Sequence, residues 1–213
     1  MINAYDSVYL EKAQTVLGRM MDYAVYDLEY SADSFFDLFI VSGYADRFGT
    51  GDYLLIVGKS GVELARMILE KTTGCIVEDK PKYTVNRSRE YWAGWALAYY
   101  QWYTSLSFRE ITEAVTLDEI IGLYSPYHEM DIRQFCDKMT GLYRYKHPET
   151  NLKRLRQVAR LTQNELAEQS QIPLRTIQQY EQRQKDINKA QVQYLIMLSR
   201  VLCCEPDDLV EKV

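Results

Sequence analysis

Histidine, cysteine, proline and glycine are all scarce in this chain, and each scarcity removes a class of protein. Only two histidines occur, His128 and His147, and none of the four cysteines (Cys75, Cys136, Cys203 and Cys204) forms a Cys-x-x-Cys pair. No second ligand stands near either histidine in sequence, so neither a metal site nor a resident cofactor is expected. Scattered thiols in a chain whose first residues lack a basic, apolar leader point to the reducing cytoplasm. Five prolines and ten glycines in 213 residues are few for a turn-rich β-architecture and favour helices. The most apolar run, Tyr91 to Tyr103, is too short to span a bilayer and contains Gln101, so no membrane partner is expected.

Catalytic constellations are missing as well, and no enzymatic activity is expected. His128 and Glu129 are neighbours, but adjacent residues on a helix do not face each other, and no nucleophile can be named beside them. The segment Gly58-Lys-Ser-Gly61 has part of a phosphate-binding loop, yet Tyr53 occupies the position such a loop gives to its first glycine. Ser60 reads instead as the cap of a helix from Val62 to Lys71, with Glu63 in its first turn.

What is present is apolar and aromatic surface, and an uneven charge. Hydrophobic residues make up 47% of the chain and tyrosine alone contributes 18 residues, enough to build a substantial core. The net charge is −5, but residues 1–150 carry 15 basic and 22 acidic residues, whereas residues 151–200 carry nine basic and four acidic. An acidic body followed by a basic appendage fits a protein that meets a polyanion only through its C-terminal part.

Taken in order, the chain predicts an all-α body over residues 1–146, in one piece or divided as 1–74 and 88–146. Val8, Ala13, Val16, Leu17, Met20, Met21, Ala24 and Val25 recur at helical spacing between Tyr5 and Leu28. Ser31 to Ser34 offers caps for a second helix through Phe35, Phe36 and Phe39. Tyr53 to Val57 is apolar and ends β-branched, which allows a short strand. Residues Lys71 to Arg89 read as a linker, and Tyr83-Thr-Val85 within it allows a second β-excursion. Tyr91 to Tyr103 then forms a helix apolar nearly all round, the pattern of a segment buried on several sides. Its Trp92, Trp95, Tyr99 and Trp102 are candidates for a partner or ligand surface, because buried indole and phenol groups need polar partners. Ser107 and Thr116 open two short helices, Pro126 ends the second, and Met130 to Tyr143 forms another.

His147-Pro148 marks a boundary. Beyond it Leu152, Leu155 and Ala159 face inward from a first helix, with its basic residues outward. Thr162 and Glu165 have the spacing of a capping box at the start of a second helix. A third has Pro173 in its first turn, where the amide it lacks would have no partner, and Ile177 and Tyr180 on its inner side. Leu174, Arg175, Gln178 and Gln179 lie on its outer side. Arginine can bond guanine and glutamine adenine in a bidentate way. A helix from Ala190 to Leu202 closes the unit through Val192, Leu195, Ile196, Leu198 and Val201. A last turn carries Leu209 and Val210, and Cys203 and Cys204 are small buried fillers.

The stretch Leu161-Thr-Gln-x-Glu-Leu-Ala, with Ile172, Thr176-Ile177 and Tyr180-Glu181, resembles the helix-turn-helix of the Cro/repressor type. It departs from that pattern at Gln171 and Arg183, where the family usually has glycine. The resemblance implies a five-helix DNA-binding domain over residues 150–213. Base edges of double-stranded DNA would be read by Leu174, Arg175, Gln178 and Gln179, and phosphates held by Gln163, Lys185, Asn188 and Lys189. It also implies a homodimer on a palindromic operator. Separately, Phe36-x-x-Phe39-x-x-Ser42-Gly43, Asp52-Tyr53 and Glu63-Leu64-Ala65 resemble a small helical domain of unknown function encoded beside toxin-like ADP-ribosyltransferases. Together the two resemblances imply an antitoxin that represses its own operon and binds the toxin of a neighbouring gene. A ligand-responsive repressor, with a small-molecule pocket at the aromatic helix, is the alternative.

Overall fold

Short polar side chains start many of the helices of this protein. In the computed structural model, which describes residues 3–78, 80–82 and 87–212, all regular structure among those residues is helical. Each starting hydroxyl or carboxylate accepts from a backbone amide that the first turn would otherwise leave unpaired, a contribution of about 1 kcal/mol per cap. The first helix, α1, is Leu10–Tyr26, and Ser31 caps the second, α2, Ala32–Val41. Tyr44–Gly49 forms α3, and Asp52 caps the single turn α4, Tyr53–Ile56. Ser60 and Glu63 form a reciprocal capping box on α5, Gly61–Thr73. Ser88 caps α6, Arg89–Thr104; Ser107 with Glu110 caps α7, Phe108–Ala114; Thr116 with Glu119 caps α8, Leu117–Gly122. A kinked turn, α9 (Tyr124–Tyr127), leads to α10, Ile132–Lys146.

One sequence expectation fails here. Tyr53 to Val57 is a helical turn and not a strand, because the Asp52 carboxylate accepts from Leu54 N at 2.9 Å and fixes a helical start. The other β-excursion, at Tyr83 to Val85, lies outside the described residues.

The chain divides into two compact units, Met1–Arg144 and Tyr145–Val213. In the first, α1 packs against both α5 and α6, so the segments before and after residues 74–88 share one core. The approach of α1 to α6 is close because of Gly18 and Gly94. A β-carbon on Gly94 would stand 2.7 Å from Leu17 O, and one on Gly18 would stand 2.8 Å from Tyr91 O. Around this pair Phe36, Phe39, Phe48 and Phe108 form a cluster of edge-on and tilted rings with centroids 5.4 to 6.2 Å apart.

The second unit contains α11 (Asn151–Val158), α12 (Gln163–Ser170), α13 (Leu174–Glu181) and α14 (Val192–Leu202), followed by a 3-10 turn, Pro206–Leu209. Its core is Leu152, Leu166, Ile172, Ile177, Tyr180, Ile187, Leu198, Leu202 and Leu209. Several expected core positions lie elsewhere. Val192 is 71% exposed and Ile196 38%, because α14 turns its Leu198 and Leu202 side inward. Cys203 is exposed and Cys204 half-buried: Cys203 ends α14 in a left-handed conformation (φ 51°), which carries its thiol out of the core.

Candidate nucleic-acid interface

The outward face of α13 is built from the turn that precedes it. Thr162 N donates to Glu165 Oε2 at 2.7 Å, and Glu165 N donates to Thr162 Oγ1 at 3.2 Å, which fixes the start of α12. The Thr162 amide, and after it the Thr162 hydroxyl, hold the Glu165 carboxyl below the usual glutamate range. At the other end Ser170 Oγ donates to Leu166 O, and Gln171 adopts a left-handed conformation (φ 55°) that ends the helix. Ile172 then inserts into the core, and Pro173 stands at the cap of α13, its carbonyl accepting from Thr176 N at 2.8 Å. Ile177 and Tyr180 face inward as the spacing requires.

This leaves Leu174, Arg175, Gln178 and Gln179 on the opposite side, Arg175 exposed and the others half-buried. Among the described residues, the side chains of Arg175, Gln178 and Gln179 make no hydrogen bond or ion pair. Three polar groups on one helical face thus keep their bonding capacity for something outside the chain.

The end of α13 is held by a buried ion pair. Arg156 Nε and Nη2 donate to Glu181 at 2.6 and 2.9 Å, and Arg156 Nη1 donates to Leu161 O at 2.8 Å. The side chains are 12% and 3% exposed, and the carboxylate beside it raises the Arg156 guanidinium above its ordinary value. Gln163 Nε2 donates to the same carboxylate at 2.7 Å. The expectation that every basic residue of α11 points outward is therefore wrong for Arg156, which is drawn inward by a carboxylate that has no water to solvate it.

The proposed phosphate-holding residues separate into two kinds. Lys185 is exposed, and Lys189 is 84% exposed with its ammonium 3.4 Å from Asp186. Gln163 and Asn188, by contrast, spend their amides internally. Asn188 Nδ2 donates to Glu211 O, and Asn188 Oδ1 accepts from Glu211 N at 2.8 Å.

Arg183 is the residue whose role the sequence hid. It follows α13 in a left-handed conformation (φ 54°). Its guanidinium donates to Pro148 O at 2.8 Å, to His147 O and Glu149 O at 3.4 Å each, and reaches Glu211 Oε2 at 3.4 Å. Glu211 Oε1 in turn accepts from Asn151 N at 2.6 Å.

In the first unit the four aromatic candidates lie along α6, Trp102 buried and the other three half-buried. Trp92 meets Tyr124 and Phe135 edge-on, and Trp102 Nε1 donates to Tyr5 O at 2.8 Å. Tyr99 meets Trp102 edge-on and stacks on Tyr103, and burial raises its hydroxyl above the usual tyrosine value. Trp95 is half-buried. His128 stacks on Tyr124 with centroids 4.1 Å apart, and its Nδ1 lies 2.8 Å from Tyr124 O.

At the level of class, the described residues make an all-helical chain of two units, in which no helix is long and apolar enough to cross a membrane. No group of three or more metal-ligating side chains gathers among them. No family model, no curated protein and no solved structure matches the chain.

Proposed function

We propose that this protein is a cytoplasmic, sequence-specific DNA-binding transcriptional regulator, a helical body followed by a Cro/repressor-like helix-turn-helix domain. The observation that carries the reading is the unspent polar face of α13, Arg175, Gln178 and Gln179, on a helix clamped at its far end by the Arg156–Glu181 pair. In this reading α13 enters the major groove. Arg175 bonds a guanine edge, Gln178 and Gln179 bond adenine edges, and Leu174 meets a thymine methyl. Lys185 and Lys189 hold phosphates, while Gln163 and Asn188 position the elements that carry them. One such helix contacts few base pairs, so a homodimer on a palindromic operator supplies the affinity.

The acidic body takes the second role, that of binding a partner protein encoded by a neighbouring gene, as an antitoxin binds its toxin. The packing of Trp92 and Trp102 inside the first unit favours this over a small-molecule pocket at α6. No catalytic role is assigned.

The test is a gel shift on the promoter of the protein's own operon at defined salt. Arg175→Ala combined with Gln179→Ala should weaken specific binding by about 100-fold, from about 1–3 kcal/mol per bidentate contact, with the circular-dichroism spectrum unchanged. Undiminished affinity of the double variant would remove α13 as the reading helix.

A further inference from the structure

A cleft of about 470 Å³ opens in the first unit between α2 and the α7–α8 pair. From α2 it is lined by Asp33, Phe36, Asp37, Ile40 and Val41, the positions i, i+3, i+4, i+7 and i+8 that make one helical face. That face runs about 12 Å along the helix. Opposite it stand Arg109, Thr112 and Glu113, with Thr116 and Leu117 at one end. The floor is apolar: Phe36 and Leu117 are 1% exposed and Ile40 7%. Val41 at the lip is 73% exposed.

The rim is acidic. Asp33, Asp37 and Glu113 outnumber Arg109, and no ion pair joins any of the four to another side chain among the described residues. Asp33 Oδ1 accepts from Leu117 N at 2.7 Å, which ties α8 to α2 and closes the cleft at that end. A cleft with an apolar floor, rimmed by carboxylates that stand outside any ion pair, is complementary in charge to a basic amphipathic helix.

We propose that this cleft is where the body receives its protein partner, and that the partner inserts a basic amphipathic helix. Its apolar side chains enter the cleft beside Ile40 and Val41, and its lysines or arginines meet Asp37 and Glu113. The inference rests on the partner-binding reading above and names the chemistry of that partner.

The experiment titrates the purified product of the adjacent gene into the full-length protein by calorimetry. Asp37→Lys with Glu113→Lys is the cleft variant; Glu11→Lys with Glu70→Lys makes the same charge change at exposed positions that do not line the cleft. All four are surface positions, and circular dichroism verifies the fold of each variant. The proposal expects the cleft variant to lose at least tenfold in affinity and the control less than threefold. Val41→Ser should also weaken binding, without changing its salt dependence. Equal losses in the cleft variant and the control, or no loss in either, would overturn the cleft while leaving the partner reading intact. Absence of binding by the unaltered protein would overturn both.

Discussion

The two units end their helices differently. In the first, glycine takes three of the five left-handed positions among the described residues: Gly43 precedes α3, Gly51 follows it and Gly74 ends α5, while Glu29 follows α1 and Ser105 ends α6. The second contains no glycine, the last in the chain being Gly141. Its four helices each end in a left-handed residue that carries a side chain: Arg160, Gln171, Arg183 and Cys203. Such a conformation costs an L-residue about 1–2 kcal/mol. The units also differ in what fills them. The first has clustered phenylalanines and a close helix pair, whereas the smaller second unit adds a buried ion pair and a polar junction at Glu211 to a modest core. A small core supplies little stabilisation, so directional bonds carry a larger share of it in the second unit.

Because Trp92, Trp95 and Trp102 all lie in the first unit, indole fluorescence follows that unit alone, while circular dichroism follows both. Arg156→Ala should break this symmetry most. It strands Glu181 in the interior at a cost of about 3–5 kcal/mol, so dichroism should show an early second transition while the fluorescence midpoint stays in place. Gly94→Ala is the converse. A β-carbon 2.7 Å from Leu17 O should cost about 1–3 kcal/mol, moving the fluorescence midpoint and sparing operator binding.

Left-handed positions offer a finer contrast. Gln171→Gly should stabilise the second unit by about 1 kcal/mol, since the Gln171 side chain has no hydrogen bond among the described residues to lose. Arg183→Gly relieves the same backbone cost but severs the contacts to residues 147–149 and 211. Bonds from a charged donor contribute about 1.5–3 kcal/mol, so thermal denaturation should show a net loss. A gain at both sites would mean that the guanidinium contacts contribute little.

The smallest effect is in acid. The Thr162 bonds hold Glu165 below the ordinary glutamate value of 4.5, so their contribution is complete above that value and disappears as pH falls through the lowered one. Glu165→Gln should flatten this part of the pH–stability curve in the second unit, leaving the matching contribution of Glu63 in α5 untouched.

Much of the helical plan was legible in the residues, and for a local reason. Caps such as Ser60, Ser107, Thr116 and Thr162 act within three residues, so their spacing is visible in sequence. The outward placement of Arg175 and Gln179 followed from Ile177 and Tyr180 in the same way. Tyr53 to Val57 was misread because five apolar residues in a row have no period, and the cap at Asp52 decided the matter. Arg156 and Arg183 were illegible because their partners stand 25 to 36 residues away in the chain. The cleft between α2 and the α7–α8 pair was illegible for the same reason, since Asp33 on one wall and Leu117 on the other stand 84 residues apart.

Arg183 also decides how force enters the second unit. The carbonyls of residues 147–149 are tied to the guanidinium at the end of α13, so the chain arriving from residue 146 is moored there before α11 begins. A pull along that chain is therefore shared between α11 and the terminus of the outward-facing helix, so in mechanical terms the connecting segment has two anchorages in the second unit.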